Sequence, residues 1–108
     1  MHEYIQVATT VATEDQAAGI AGLLIEKRLA ACVQVVGPIT SHYRWQGKIE
    51  TAEEYLCLAK SRVALYPEIE AAIKAVHAYE VAEIIATPII AGSKEYLAWL
   101  RAEVREPS

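Results

Sequence analysis

The stretch ACVQVVGPITSHYRWQGKIE, residues 31–50, decides the fold of this chain. It reads as one very long strand that runs into a hairpin, because the Gln46-Gly47 pair supplies the glycine that a tight turn with positive φ requires. Pro38 has no N–H to donate to a sheet, so it marks an edge or a bulge of that strand. We predict strand two from about Cys32 and strand three from about Lys48 to Lys60.

The segments on either side read as helices and strands in turn. Thr13 and Gln16 form a capping box. Pro67 fits the first turn of a helix, where its missing N–H has no partner, and Ser93 is the expected N-cap of a last helix. The predicted elements are a strand over about 4–10, a helix over about 14–31, a helix that opens at Tyr66 and buries Ile69, Ile73 and Val76, a strand over about 81–90, and a helix that buries Leu97, Leu100 and Val104.

The predicted order of elements is therefore β-α-β-β-α-β-α. Its first six elements form the split βαβ, ferredoxin-like motif. We expect an α+β, ferredoxin-like fold with a long hairpin between strands two and three and an added C-terminal helix. The length suits one domain over residues 1–108, which is enough chain to bury a core of its own.

The predicted hairpin is too long for its own sheet. About fourteen residues of strand at about 3.3 Å each reach roughly 46 Å, and strands one and four have about half that length. Unpaired backbone that carries Tyr43 and Trp45 is an aggregation hazard unless something pairs with it. We therefore predict a homo-oligomer, in which the hairpin pairs with or packs on another copy of the chain.

Composition argues against several classes of protein. The chain is 54% apolar and carries 10 Lys and Arg against 14 Asp and Glu, a net charge of −4, so it is neither disordered nor typical of a nucleic-acid binder. No apolar run approaches the roughly 20 residues that span a bilayer, and no signal peptide or membrane association is expected. The two cysteines, Cys32 and Cys57, form no ligand motif, so a reducing, cytoplasmic compartment is expected.

Three segments resemble the CutA family of divalent-cation tolerance proteins: AACVQVVGPITSHYRWQGKIE, EEYLCLAKS and HAYEVAEIIATPIIAGSKEYLAWL. The similarity covers nearly the whole chain, and the block from Cys32 to Glu50 is specific in order and spacing. The resemblance implies a homotrimer of ferredoxin-like subunits, similar to the PII signal proteins, in which long hairpins join neighbouring subunits. It also implies a role in tolerance of copper or other divalent metal ions, without catalysis and without an organic cofactor.

Two departures from the family pattern concern metal chemistry. The family commonly reads His-Pro-Tyr-Glu-x-Pro-Glu, whereas residues 77–83 read HAYEVAE, with Ala78 and Ala82 at the proline positions. A cysteine that one bacterial pattern carries at the end of strand one corresponds here to Thr9, a poorer copper ligand. The resemblance therefore implies a less rigid loop over 77–83 and a metal site without that thiolate.

The segment that ends the second helix holds the principal candidate for a metal site. Glu80 and Glu83 follow His77 within six residues, and an imidazole near two carboxylates suits Cu(II) or Zn(II). A structural His77 is the alternative, since the helix dipole favours a cation there. Cys32 is a candidate Cu(I) ligand or else a buried thiol. The topology places Cys32 and His77 at opposite ends of the sheet, so a site that used both would need two subunits.

Four rings are the candidate contacts between subunits: Tyr43, Trp45, Tyr96 and Trp99. Aromatic side chains are enriched in interfaces, although these rings could instead line a small-molecule pocket between subunits. Glu50, Glu53 and Glu54 read as a solvated face or as inter-subunit ion pairs.

Two further functions compete with a trimeric, non-catalytic metal-homeostasis protein. The first is a PII-like sensor that binds a small molecule in clefts between subunits. The second is an enzyme, which is disfavoured because the loop after strand one, residues 9–13, has no Arg and no general base. No phosphate-binding Gly-rich loop is present in the sequence either, which argues against a nucleotide ligand.

Overall fold

The computed structural model describes residues 2–108, which form four strands and three α-helices. The elements are β1 (Tyr4–Val11), α1 (Glu14–Glu26), β2 (Cys32–Trp45), β3 (Lys48–Arg62), α2 (Tyr66–Val76), β4 (Ile84–Pro88) and α3 (Lys94–Glu103), with a short 3-10 turn over Val63–Leu65 before α2. The strands form one antiparallel sheet in the order β2-β3-β1-β4. This order confirms the predicted α+β, ferredoxin-like fold with its added C-terminal helix.

The hydrophobic core lies between one face of the sheet and helices α1 and α2. Alternate residues of a strand point to opposite faces, so the odd-numbered residues of β1 and β3 supply the buried side. The main core side chains are Ile5, Val7, Val11, Cys57 and Ala59 of the sheet and Ala17, Ile20, Leu24, Ile69 and Ile73 of the helices. Burial raises the pKa of the Cys57 thiol, which donates weakly to the carbonyl of Ala17, so Cys57 is a core residue between Leu56 and Leu58.

Helix α1 ends five residues before the predicted boundary at 31. Its end is a Schellman motif, in which the N–H of Leu29 donates to the Leu24 carbonyl and the N–H of Arg28 donates to the Ile25 carbonyl. The residue in the left-handed conformation is Arg28, with φ of 57°, a position that glycine usually takes. Because no glycine marks the end of the helix, nothing in the local sequence indicates it.

Arg28 holds helix α3 against the rest of the fold. Its guanidinium donates to the carbonyls of Ala102 and Glu103, each over 3.0 Å, where α3 has unpaired C-terminal carbonyls. Its own carbonyl accepts from the N–H of Arg105 over 2.8 Å. These three hydrogen bonds join the end of α1 to the end of α3 and the residues that follow it.

Strand β4 is shorter than the predicted range of 81–90, because its ladder with β1 ends at the pair Thr9 and Ile84 and the next β1 carbonyl has another partner. The carbonyl of Tyr4 accepts from the N–H of Ile89, so even-numbered residues of β1 direct their backbone groups toward β4. Thr10 has the next carbonyl of this series, one residue beyond the last β1–β4 pair. That carbonyl accepts a hydrogen bond from the His77 ring instead of from β4. Val76, predicted to be buried, is 56% exposed beside this junction.

The outer part of the β2–β3 hairpin, residues 39–54, is a two-stranded arm that protrudes from the sheet. β1 pairs with β3 only as far as Tyr55, whereas β2 pairs with β3 out to Trp45 and Lys48. The seven residues 48–54 of β3 therefore have no third strand, and seven residues rise about 23 Å. The molecule measures 44 × 25 × 22 Å as a result. This arm confirms the predicted overhang.

Two turn residues of the hairpin behave as their chemistry predicts. Gln46 and Gly47 both have positive φ, 51° and 79°, as the two central residues of a tight hairpin turn require. The register of the β2–β3 ladder shifts between Val36 and Ile39, which places the predicted bulge at Gly37-Pro38.

Replacing Thr9 by valine is expected to raise the free energy of unfolding by about 1 kcal/mol. Thr9 is buried on the helix-facing side of β1, and its hydroxyl has no hydrogen-bond partner among the residues described. Valine keeps the shape and removes a polar group whose burial without a partner costs about 1–3 kcal/mol. Urea unfolding measures the change.

Thr13→Val is the control for this prediction. It removes the hydroxyl that accepts the N–H of Gln16 at the start of α1, so we expect a loss of about 1 kcal/mol from the same chemical change. A Thr9→Val protein that is less stable than the parent would mean that the Thr9 hydroxyl makes a hydrogen bond, for example to a buried water, and would contradict the prediction.

Candidate functional site: an acidic cleft at the base of the arm

A cleft with a volume of about 620 Å³ lies where the arm leaves the sheet. The arm forms one wall, and the loop between α2 and β4, residues 77–83, forms the other. Its lining is Thr10, Ser41, His42, Tyr43, Trp45, Glu54, Ala78, Tyr79, Glu80, Val81 and Glu83. Three of these side chains are carboxylates, three are large aromatic rings, and the lining contains no Lys or Arg.

Glu54 is the buried carboxylate of the cleft. It stands on β3 opposite Ile39, and it is 6% exposed because Tyr79 covers it from the facing loop. The Tyr79 hydroxyl donates to Glu54 Oε2 over 2.7 Å. Burial, together with the hydrogen bond and negative charge of Glu54, raises the pKa of Tyr79 to about 12, so the phenol stays neutral and remains a donor.

Loop 77–83 is attached to the sheet through the His77 ring. Nδ1 of His77 accepts the backbone N–H of Tyr79 over 3.0 Å, which requires that the ring proton is on Nε2. Nε2 then donates to the Thr10 carbonyl over 2.8 Å. Both ring nitrogens are therefore engaged, and His77 positions Tyr79, whose ring centre lies 4.9 Å from its own. A metal ion could take His77 only after one of these bonds breaks.

The predicted metal ligands are only partly brought together. Glu80 and Glu83 both line the cleft with Glu54, whereas His77 faces the sheet. Within residues 2–108, no group of three or more His, Cys, Asp or Glu side chains is placed to hold a metal ion. The residues of one chain therefore do not fit a metal ion as they stand, and these ligands stay a prediction.

Cys32 lies at the opposite end of the sheet from the cleft, as the topology predicted. It pairs with Lys60 of β3, which pairs in turn with Gln6 of β1, four residues from Thr10. Four residues of strand span about 13 Å, so Cys32 and His77 of one chain cannot share an ion. Cys32 is a free, partly exposed thiol.

The four rings predicted to contact other subunits form two groups. Tyr43 and Trp45 line the cleft on the arm. The rings of Tyr96 and Trp99 on α3 pack at a tilt of 41° with their centres 5.5 Å apart. Burial first, and the nearby Cys32 second, raise the pKa of Tyr96. All four are 40–44% exposed, so a subunit contact at either group stays a prediction.

Sequence reasoning missed the role of Glu54. The sequence groups it with Glu50 and Glu53 as a solvated face or as inter-subunit ion pairs, and the burial of Glu54 contradicts the solvated face for this residue alone. The alternation of side chains along β3 could have indicated this burial. Glu54 lies on the same face of the strand as Leu56 and Leu58, whose side chains are partly buried on the helix-free side of the sheet. The covering residue, Tyr79, lies 25 positions away in the sequence, and no local pattern connects the two.

The fold and the cleft define an α+β protein of the ferredoxin-like class with a protruding hairpin arm. The family described as "CutA1 divalent ion tolerance protein" matches residues 5–103, and the chain therefore belongs to this family. The family is described by tolerance of divalent ions rather than by a reaction. No helix in the described part of the chain has the length and apolar character needed to cross a membrane.

Relatives and solved structures agree with this assignment. The chain is 47% identical over 95 residues to the "Divalent-cation tolerance protein CutA" of Thermus thermophilus, covering 88% of this chain and 92% of that protein. It is 46% identical over 92 residues to the "Protein CutA" of Homo sapiens, covering 85% of this chain but 51% of that protein, so it spans about half of the human relative.

Two solved structures have nearly the same backbone. The divalent cation tolerance protein (Cut A1) of Thermus thermophilus superposes with a TM-score of 0.92 at 44% identity, covering 94% of this chain and 99% of that chain. CutA1 of Oryza sativa superposes with a TM-score of 0.94 at 40% identity, covering 97% of this chain and 96% of that chain.

Proposed function

We propose that this chain acts as a homotrimeric divalent-cation tolerance protein that binds copper or another divalent metal ion in metal homeostasis, without catalysis. The observation that carries the proposal is the cleft at the base of the arm, whose lining includes Glu54, Glu80 and Glu83 and no Lys or Arg. The chain belongs to a family that is described by tolerance of divalent ions, which makes a divalent ion the proposed ligand. A cytoplasmic location belongs to the same proposal and agrees with the two free cysteines.

The trimer is supported by the surfaces that a single chain leaves uncovered. The arm has no third strand, and Ile49 near its tip is 74% exposed. Residues with an apolar character also lie on the helix-free face of the sheet, where Val36 and Ile85 are exposed. Long unpaired edges and exposed apolar strands need a partner to avoid aggregation.

The proposal that the cleft binds a metal ion is supported by the carboxylates of loop 77–83. Carboxylate oxygens suit hard divalent ions, and Cu(II) accepts them together with imidazole. His42 also lines the cleft, with its Nδ1 within 3.2 Å of the Thr51 hydroxyl. Because one chain supplies too few ligands in place, binding requires a shift of loop 77–83 or a ligand from a second copy.

Removing the two loop carboxylates is expected to weaken metal binding at least tenfold. The variant is Glu80→Gln with Glu83→Gln, titrated with Cu(II) by calorimetry in metal-free, tag-free protein. The wild type is expected to bind a whole number of ions per chain or per trimer. Loss of two charged ligands removes most of the favourable interaction with a divalent ion.

The control for the titration removes two carboxylates outside the cleft, Glu26→Gln with Glu95→Gln, and is expected to change the affinity less than twofold. His77→Ala adds a second comparison: it deletes the attachment of the loop, so it is expected to weaken binding through disorder of residues 77–83. Equal, weak binding by the wild type and all variants would count against the metal proposal.

A PII-like sensor is the second candidate, and one observation favours it. The cleft volume of about 620 Å³ lies within the range of small-molecule sites, and a bare metal ion would fill little of it. A thermal-shift comparison of nucleotides and metal salts on metal-free protein separates the two candidates, because only a ligand of the folded state raises the unfolding temperature.

A further inference from the structure

Glu54 is a buried carboxylate without a cation. Its exposed fraction is 6%, and no Lys, Arg or His side chain in residues 2–108 forms an ion pair with it. Acidic side chains are almost never this buried unless they are paired, because a charge out of water costs several kcal/mol. The described residues of one chain therefore supply no positive charge that pairs with Glu54.

The Tyr79 hydrogen bond orients Glu54 but does not neutralise it. The phenol donates to Oε2 and is held in its neutral form, so it supplies a dipole rather than a charge. The described residues offer Oε1 no hydrogen bond, and this oxygen is not among the fully buried, unpaired atoms. Oε1 is therefore available to a group in the cleft.

Two half-exposed rings stand on the same side of the arm as Glu54. Opposed residues of an antiparallel pair share a face, and Glu54 opposes Ile39, so odd-numbered residues of β2 in the arm lie on the Glu54 side. Tyr43 and Trp45 are the large members of this set, 44% and 40% exposed. Tyr43 and Tyr79 line the same cleft from its two walls.

We propose that the cleft binds an organic ammonium ion, with Glu54 as the counter-charge and the faces of Tyr43, Trp45 and Tyr79 around its alkyl groups. Aromatic rings attract a weakly hydrated ammonium, and rings with a carboxylate form the usual cage for quaternary ammonium groups. A divalent metal ion keeps its water or oxygen ligands and gains little from the rings. This ligand goes beyond the metal role and uses Glu54 and the rings rather than Glu80 and Glu83.

Choline is the probe, and 3,3-dimethyl-1-butanol, its neutral carbon analogue, is the matched ligand control. The protein is used without metal, in the presence of EDTA, and binding is followed by calorimetry and by Trp45 fluorescence in a Trp99→Phe background. Choline is expected to bind and to change the fluorescence, whereas the neutral analogue is expected to bind at least tenfold more weakly.

The protein variants test the two parts of the site separately. Glu54→Gln keeps the shape and the acceptor for Tyr79 but removes the charge, and it is expected to weaken choline binding at least tenfold. Trp45→Leu, at an exposed position, is expected to weaken it at least fivefold, with binding followed by calorimetry. Glu53→Gln removes the same charge from the next residue, on the opposite face of the arm, and is expected to change affinity less than twofold.

Three outcomes would overturn the proposal. Equal binding of the neutral analogue would show an apolar cleft only, and an unchanged Glu54→Gln would show that its charge is not used. No binding of choline, with a smaller oligomer for Glu54→Gln by light scattering, would show that a basic residue of a second copy is the counter-charge. The Cu(II) titration is run without choline and is tested through Glu80→Gln with Glu83→Gln, so failure here and failure of the metal proposal are distinguishable.

Discussion

Shortening the arm is expected to convert the proposed trimer into a folded single chain. The variant deletes His42–Trp45 and Lys48–Thr51, so that Gln46-Gly47 joins Ser41 directly to Ala52. In the wild type the pair Trp45 and Lys48 closes the turn, and in the variant the pair Ser41 and Ala52 would close it. The two pairs are an even number of residues apart along each strand. The side-chain faces and the hydrogen-bond pattern at the turn are therefore kept.

The reason for this expectation is that the arm carries no part of the core. The core cluster contains no fully buried apolar side chain between residues 32 and 56. The fold should therefore survive, with an unchanged far-ultraviolet circular dichroism spectrum per remaining residue, while the surface that joins subunits is lost. Light scattering on a size-exclusion column measures the mass, which should fall from three chains to one.

Lys48→Gln is the control for the shortened arm, since it changes the charge at the turn and keeps every strand residue. It should remain a trimer. A shortened variant that still has three chains would place the contacts on the helix-free face of the sheet instead. A wild-type protein of one chain would refute the proposed trimer itself.

Gly37→Ala is expected to lower the free energy of unfolding by about 1–3 kcal/mol, the usual cost of an overpacked site. A Cβ on Gly37 would lie 3.0 Å from both Cγ and Cε2 of Tyr55 and closer still to Cδ2. The Tyr55 ring packs against the core and opposes Val11 at the last β1–β3 pair, where the arm begins. The ring cannot move without loosening the base of the arm.

Two comparisons identify the steric cause of the Gly37→Ala effect. In a Tyr55→Ala background the same substitution should cost much less, and the double-mutant cycle measures that coupling. Gly19→Ala in α1 should have the opposite sign, a gain of about 0.5–1 kcal/mol, because nothing lies within 4 Å of its added Cβ. Urea unfolding is measured at one protein concentration, since assembly adds to apparent stability. Equal losses in both backgrounds would exclude the Tyr55 contact as the cause.

Local chemistry was enough to predict the elements whose ends depend on their own residues. Thr13 and Ser93 accept the N–H groups of Gln16 and Tyr96 and begin their helices as expected. Gly47 closes the hairpin and Pro38 marks the bulge. Each of these features depends on a hydrogen bond or a φ angle within four residues, which is the range over which a sequence pattern carries information.

The missed boundaries depend on contacts between distant residues. Helix α1 ends at a left-handed Arg28 because its guanidinium and carbonyl meet α3, more than 70 residues later. Strand β4 starts late because the His77 ring takes the Thr10 carbonyl, 67 residues away. Propensity alone cannot report such contacts, since they are formed only when the chain is folded.

The sequence by itself determined the ferredoxin-like order, the overhanging arm and the resemblance to the divalent-ion tolerance family, because periodicity, turn chemistry and motif order are written in neighbouring residues. It also named Glu80, Glu83, Tyr43 and Trp45, which the fold gathers in one cleft. Only the tertiary structure decided that Glu54 is buried under Tyr79, with no ion pair among the described residues, and that His77 holds the loop in place. Burial and hydrogen-bond partners are properties of packed surfaces, and the residues that cover Glu54 come from another part of the chain.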